Sequence, residues 1–164
     1  MSKGSSGLFA GTNGSQSDFF QSLENKFSKL SNENTADVWN HVNATQENYG
    51  GTVIPKSFEI DVPITKATPD GKLWTHGNAT EHMYESVTSI NNRAPSIINS
   101  NPHLFSQLIL YDYYKSLGKA VSKGTQYGSK VTIDSWEFII VPSRDGGKYP
   151  VVKHALFTGL KKRG

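Results

Sequence analysis

The last third of the chain constrains the fold most. "SKVTIDSWEFIIVPS" (129–143) and "YPVVKHALF" (149–157) alternate β-branched and aromatic residues, and "SRDGGK" (143–148) carries the glycines of a hairpin loop between them. Such runs form an antiparallel pair. In the first run Val131 and Ile133 share one parity, while Trp136, Phe138 and Ile140 share the other. The switch at Asp134-Ser135 reads as a β-bulge, a feature that often re-aims a side chain beside a site. In the second run His154 shares parity with Val152 and Leu156, and Lys153 points to the opposite face.

Upstream the period is helical. Phe20, Leu23, Phe27 and Leu30 form one apolar stripe, with Ser17 as the N-cap. A second helix is expected across 35–48 through Val38, Trp39 and Val42, stopping at Gly50-Gly51. "TVIPKSFEIDVPI" (52–64) reads as an edge strand, because Pro55 and Pro63 cannot donate to a ladder. "TPDGK" (68–72) is a turn. Asn78, three residues before Glu81, has the spacing of a capping box and predicts a helix from about 79 to 91. Asn101 and Pro102 open a longer helix that buries Phe105, Leu108, Ile109 and Leu117 and ends at Gly124. The expected fold class is α+β, with N-terminal helices packed on a C-terminal antiparallel sheet. Residues 1–16 read as a flexible linker or leader, and 17–164 as a single domain.

The chain has 164 residues, of which 35% are hydrophobic and 11% aromatic, so it can close one substantial core. It has no cysteine, which excludes disulfides, thiolate nucleophiles and Cys-based zinc sites. No apolar run approaches the length of a membrane span, and no secretory h-region is evident. The net charge of +3 is too dilute to mark a nucleic-acid binder by itself. The one dense basic run, Lys161, Lys162 and Arg163, is either a solvated end or a phosphate-contacting tail.

Chemistry concentrates in "LWTHGNATEHMYE" (73–85), which holds two of the five histidines, His76 and His82, around Gly77-Asn78. A sharp turn at the glycine would let both rings converge near a helix N-terminus, where free N–H groups favour a phosphate. The six-residue separation does not put both rings on one helical face, as a zinc pair at i and i+4 requires. No G-x-S-x-G and no phosphate-cradling glycine loop is present. What remains is metal-free acid–base cleavage of a phosphodiester. Imidazole ionises near neutrality and suits both base and acid, while lysine, a threonine hydroxyl or a backbone N–H stabilises the phosphorane. Attack by a 2′-hydroxyl would restrict such a site to RNA. Each residue also has a structural reading: His76 lining a turn, His82 half-buried on its helix, His154 in the core. His41 and His103 read as surface helix residues. Trp74 and Trp136 read as core, Trp136 alternatively as a stacking platform for a base.

Three stretches, "GLFAGTNGSQ", "WTHGNATEHM" and "WEFIIVPSRDGGKYPVVKHALF", resemble the C-terminal toxin domains of bacterial polymorphic toxins of the contact-dependent, LXG and cell-wall-associated types. In outline the chain is similar to the ribonuclease superfamily that includes barnase-like and EndoU-like toxins. The motif-bearing part of the resemblance spans about 73–158 and does not reproduce the full family motif. It implies helices packed on an antiparallel sheet and a cofactor-free endoribonuclease acting on tRNA or other RNA. It further implies release by the producer as part of a larger protein, action in the cytoplasm of a target cell, and neutralisation of an otherwise monomeric domain by a cognate immunity protein; an acidic inhibitor would fit the mild positive charge. Carried onto this sequence, it makes His76 and His82 the acid–base pair. Thr80 or Lys153 would stabilise charge, with His154 in reserve. Independently of the resemblance, Asn78 at the helix start, Trp136, and the basic run Lys161, Lys162 and Arg163 are the candidate substrate contacts. Rival readings are a metal-dependent or other-target toxin enzyme and a non-catalytic interaction domain.

Overall fold

The computed structural model describes residues 35–93, 102–134, 136–143 and 147–157. The expected linker, the stripe from Phe20 to Leu30, Asn101, and the basic run Lys161–Arg163 lie outside them. Among the described residues the chain forms a short 3-10 turn (Asp37–Asn40), then β1 (Val42–Ala44), β2 (Ser57–Asp61) and β3 (Lys72–His76). Two helices follow, α1 (Asn78–Arg93) and α2 (Pro102–Ser122), and then β4 (Lys130–Ile133), β5 (Trp136–Val141) and β6 (Val151–Phe157).

The six strands make one sheet in the order β1-β2-β3-β6-β5-β4. Every pair is antiparallel except β3–β6, which is parallel, with Trp74 opposite Val151 and Thr75 opposite Val152. The sheet is therefore mixed, and the helices fall between its two halves in the chain. This corrects the expected architecture of N-terminal helices on a C-terminal antiparallel sheet, and with it the barnase/EndoU-like outline. The cause is β3, unrecognised in the sequence because it is short and runs straight into a helix. A parallel partner needs a long crossover, and α1 through β5 supply it.

Three further expectations change. Residues 35–48 do not form one helix: helical structure at Thr35 and Ala36 passes into one 3-10 turn over Asp37–Asn40, and Val42 then pairs with Ile60 as part of β1. A β-branched residue with a strand to join gains more there than in a lone helical turn. β2 lies inside the sheet, between β1 and β3, not at an edge. Pro55 and Pro63 flank it without entering its ladder, and Pro55 makes only an isolated bridge to Asn48. The parity switch expected as a bulge inside one strand instead falls between two strands, since Ile133 of β4 pairs with Trp136 of β5 in an antiparallel ladder. Asp134, which follows β4, takes φ 51°, a left-handed conformation that aspartate tolerates. The real bulge lies elsewhere, at Lys153, where pairing skips from Ile139–His154 to Ile140–Val152.

The turn at 68–72 and both helices match the sequence pattern. Gly71 bends at φ 68°. α2 buries Phe105, Leu108, Ile109, Tyr113 and Leu117 at helical spacing, and Gly124 follows its end at φ 89°. α1 starts one residue earlier than its capping box implied. The Glu81 N–H donates to the Gly77 carbonyl, so Gly77 rather than Asn78 occupies the cap. At φ 60° only a glycine is at ease there.

The core centres on Tyr113 of α2. Its ring meets Phe58 of β2 and Trp136 and Phe138 of β5 edge-on, at 6.1, 5.4 and 5.7 Å. Its hydroxyl bonds Thr75 of β3 at 2.9 Å. Complete burial pushes the phenol's pKa well up, so it stays protonated. Replacing Tyr113 by phenylalanine should cost roughly 1–2 kcal/mol by stranding the Thr75 hydroxyl. Alanine should cost roughly 3–5 kcal/mol by opening a cavity. Urea midpoints measured for the two variants check the order; equal losses would count against the buried bond.

Candidate active site

Strand alternation sorts the sheet into two faces. Leu73 and Thr75 of β3, Phe138 and Ile140 of β5, and Val152 and Ala155 of β6 point into the core under α2. Trp74, His76, Glu137 and His154 lie on the other face, half-buried. His154 was expected to share a face with Val152. The bulge at Lys153 separates them, turning His154 outward while Val152 stays inside.

β3 ends at His76, while its neighbour β6 runs on to Phe157. Past that end α1 packs chiefly against β6. The left-handed bend at Gly77 starts the helix there, and burial of Ala79, Met83 and Val87 fixes its rotation. His82, on the flank of that buried stripe, meets His154 edge-on at 6.1 Å between ring centroids.

Each ring is held by a carboxylate. His154 Nε2 lies 3.4 Å from Glu137 Oε1, and His82 Nδ1 lies 3.3 Å from Glu85 Oε1. An ionised carboxylate can only accept, so each of these nitrogens carries its proton and the opposite nitrogen of each ring is left to react. The contacts are long and orient more than they bind. Both imidazoles are reachable, with 34% and 28% of their side chains exposed. Glu137 was not anticipated from the sequence. The signal available was an acid as the second residue of the otherwise apolar strand "WEFIIV".

The other anticipated residues are placed as follows. His76 lies on the same face as His154, one position past the Thr75–Val152 pair, with its ring tilted against Trp74 at 5.6 Å. Lys153 is exposed at the bulge, and Asn78 is exposed at the first turn of α1. Thr80 is wholly buried, and its hydroxyl donates to the Lys56 or Gly77 carbonyl and meets the Tyr49 hydroxyl. It braces the bend and is not presented to a ligand. Trp136 is also fully buried, stacked on Phe138, with its indole N–H donated to Asp112. No base can stack on it. Among the described residues no three of His, Asp and Glu are grouped to hold a metal ion, and no helix is long and apolar enough to cross a membrane.

A second titratable cluster surrounds His41, which is not on a helix surface. Its ring stacks on Tyr114 at 4.7 Å, and its Nδ1 lies 3.3 Å from Asp61, which also pairs with Lys72. Burial opposes the ionisation of Asp61. The Lys72 ammonium and His41 outweigh it and hold the carboxyl below its ordinary 3.8. The hydrogen bond to Asp61 outweighs the smaller cost of burial and raises Lys72 above 10.5. A lowered carboxyl stabilises the fold above its unfolded value and loses that contribution as pH falls; a raised ammonium stabilises below its unfolded value and loses it as pH rises. The stability gap between the native chain and Asp61→Asn should therefore be widest at neutral pH. It should narrow below pH 3.8 and above pH 10.5, read as urea midpoints across pH. A gap constant across the range would remove the ion pair from the account.

No protein-family model matches this chain, and no curated protein matches it at a significant level.

Proposed function

We propose that the chain is a metal-independent endoribonuclease whose acid–base pair is His82 and His154. The observation that carries this reading is the contact between two reachable imidazoles, each with one nitrogen committed to a carboxylate. Such a pair can take a proton from a 2′-hydroxyl and give one to the leaving 5′-oxygen, provided both rings border the same phosphate. Glu137 keeps the His154 tautomer, as a buried carboxylate orients the base in other hydrolytic sites. This reading puts His154 beside His82 in place of the expected His76, because the bulge turns His154 outward and the His76 ring lies against Trp74. His76 and Lys153 supply positive charge or donors for the phosphorane. Trp74, half-buried on the same face, takes the stacking role that Trp136 cannot fill.

The biological setting rests on the sequence resemblance alone. A domain delivered from a polymorphic toxin would meet RNA in the cytoplasm of the target cell. It would need an immunity protein in the producer, and an acidic one would suit the net charge of +3.

With purified protein and total RNA, cleavage should leave 2′,3′-cyclic phosphate ends and persist in EDTA. His82→Ala and His154→Ala should each lower the rate by roughly 10²–10⁴-fold with unchanged urea midpoints. Glu137→Gln should lower it less. Activity that vanishes in EDTA, or survives both histidine substitutions, refutes the assignment. A purely interaction domain would show no RNA cleavage at all.

A further inference from the structure

On the α2 side of the sheet, a groove of about 860 Å³ runs between the second half of α2 and the segment that leaves β2. Tyr114, Lys115, Gly118, Lys119 and Ser122 form its helical wall, a single face by their spacing. Val62, Pro63 and Ile133 also line it, as does His41, which stacks on Tyr114. The volume is within the ordinary range for a small-molecule site, roughly 300–1,000 Å³.

Gly118 carries the argument further. It sits inside α2, although glycine is the poorest helix former after proline. Close packing does not require it, because an added Cβ would meet only Pro63 Cδ, at an ordinary 3.8 Å. Its backbone is ordinary helix, without a positive φ. A larger side chain here would project into the groove. The glycine therefore keeps the space open and leaves helix backbone bare, as where a ligand approaches closely.

Charge defines the occupant. Asp61 is paired with the Lys72 ammonium, and Asp134 with Lys119 at 3.1 Å. Lys115 and Lys123 also line the groove; the Lys115 ammonium lies 6.0 Å over the Tyr111 ring, and neither lysine forms a salt bridge among the described residues. We infer that the groove is a binding site for a small ligand with a flat apolar body and an anionic group, the chemistry of a nucleoside monophosphate. The body lies on Gly118 against Val62, Ile133 and Tyr114, and the anion meets Lys115 or Lys123. A bare phosphate would leave the carbon lining unused, and an uncharged body would leave the lysines unused. The site shares no lining residue with the His82–His154 pair, and it does not depend on RNA cleavage.

Calorimetric titration of the full chain with adenosine monophosphate tests this, alongside adenosine and inorganic phosphate. The nucleotide should bind, and each fragment should bind at least about tenfold more weakly. Gly118→Val and the pair Lys115→Gln/Lys123→Gln should each weaken nucleotide binding by about tenfold or more, whereas His82→Ala and His154→Ala should not. If Gly118→Val does not fold, Gly118→Ala, for which the Cβ has room, and the lysine pair carry the test. No nucleotide binding at ~1 mM, unchanged binding in the groove variants, or loss confined to the histidine variants overturns the assignment.

Discussion

Tyr113 joins one helix to three strands through a single side chain: its ring packs on Phe58 of β2 and on Trp136 and Phe138 of β5, while its hydroxyl reaches Thr75 of β3. That combination fixes α2 in rotation as well as position. An apolar ring alone would tolerate sliding, but a buried hydroxyl that must meet one partner does not. Trp136 extends the same cluster to Phe157 of β6 and donates back to Asp112, the residue before Tyr113. The core side of the mixed sheet is closed by this cluster, which leaves the opposite face for chemistry.

The candidate site exists because two neighbouring strands differ in length. β3 stops at His76, and the left-handed bend at Gly77 turns the chain into α1 beside the part of β6 that has lost its neighbour. A helix set there brings His82 to His154. The bulge at Lys153 then aims His154 outward instead of into the core. Both devices are backbone features one residue long. Each decides the direction of a catalytic candidate, and neither adds much to the packing.

Local pattern was legible where it was long or punctuated. The α2 stripe, the 68–72 turn, the glycine bend before α1 and the β5–β6 pairing follow from spacing and residue type. β3 was not legible, because five residues of "KLWTH" alternate too briefly to stand out before a helix. The 35–48 segment misled for the opposite reason. Val38, Trp39 and Val42 have helical spacing, but Val42 found a strand partner 18 residues on, at Ile60. Of the site, His82 and its position near the helix start could be read. Its partnership with His154 and the Glu137 brace could not, since those residues are separated by 72 and 17 positions.

By itself the sequence determined the chemistry at hand: histidines without cysteine, one core's worth of apolar residues, glycines where the backbone must bend, and one glycine inside α2. These are properties of residue type and short-range spacing, which local sterics and hydrogen bonding enforce. Tertiary structure decided the mixed topology, the face on which each histidine emerges, the burial of Thr80 and Trp136, and the groove beside Gly118. Those depend on which strands pair and in what register. In a sheet a shift of one residue exchanges inside for outside, and only the packed whole selects among the registers.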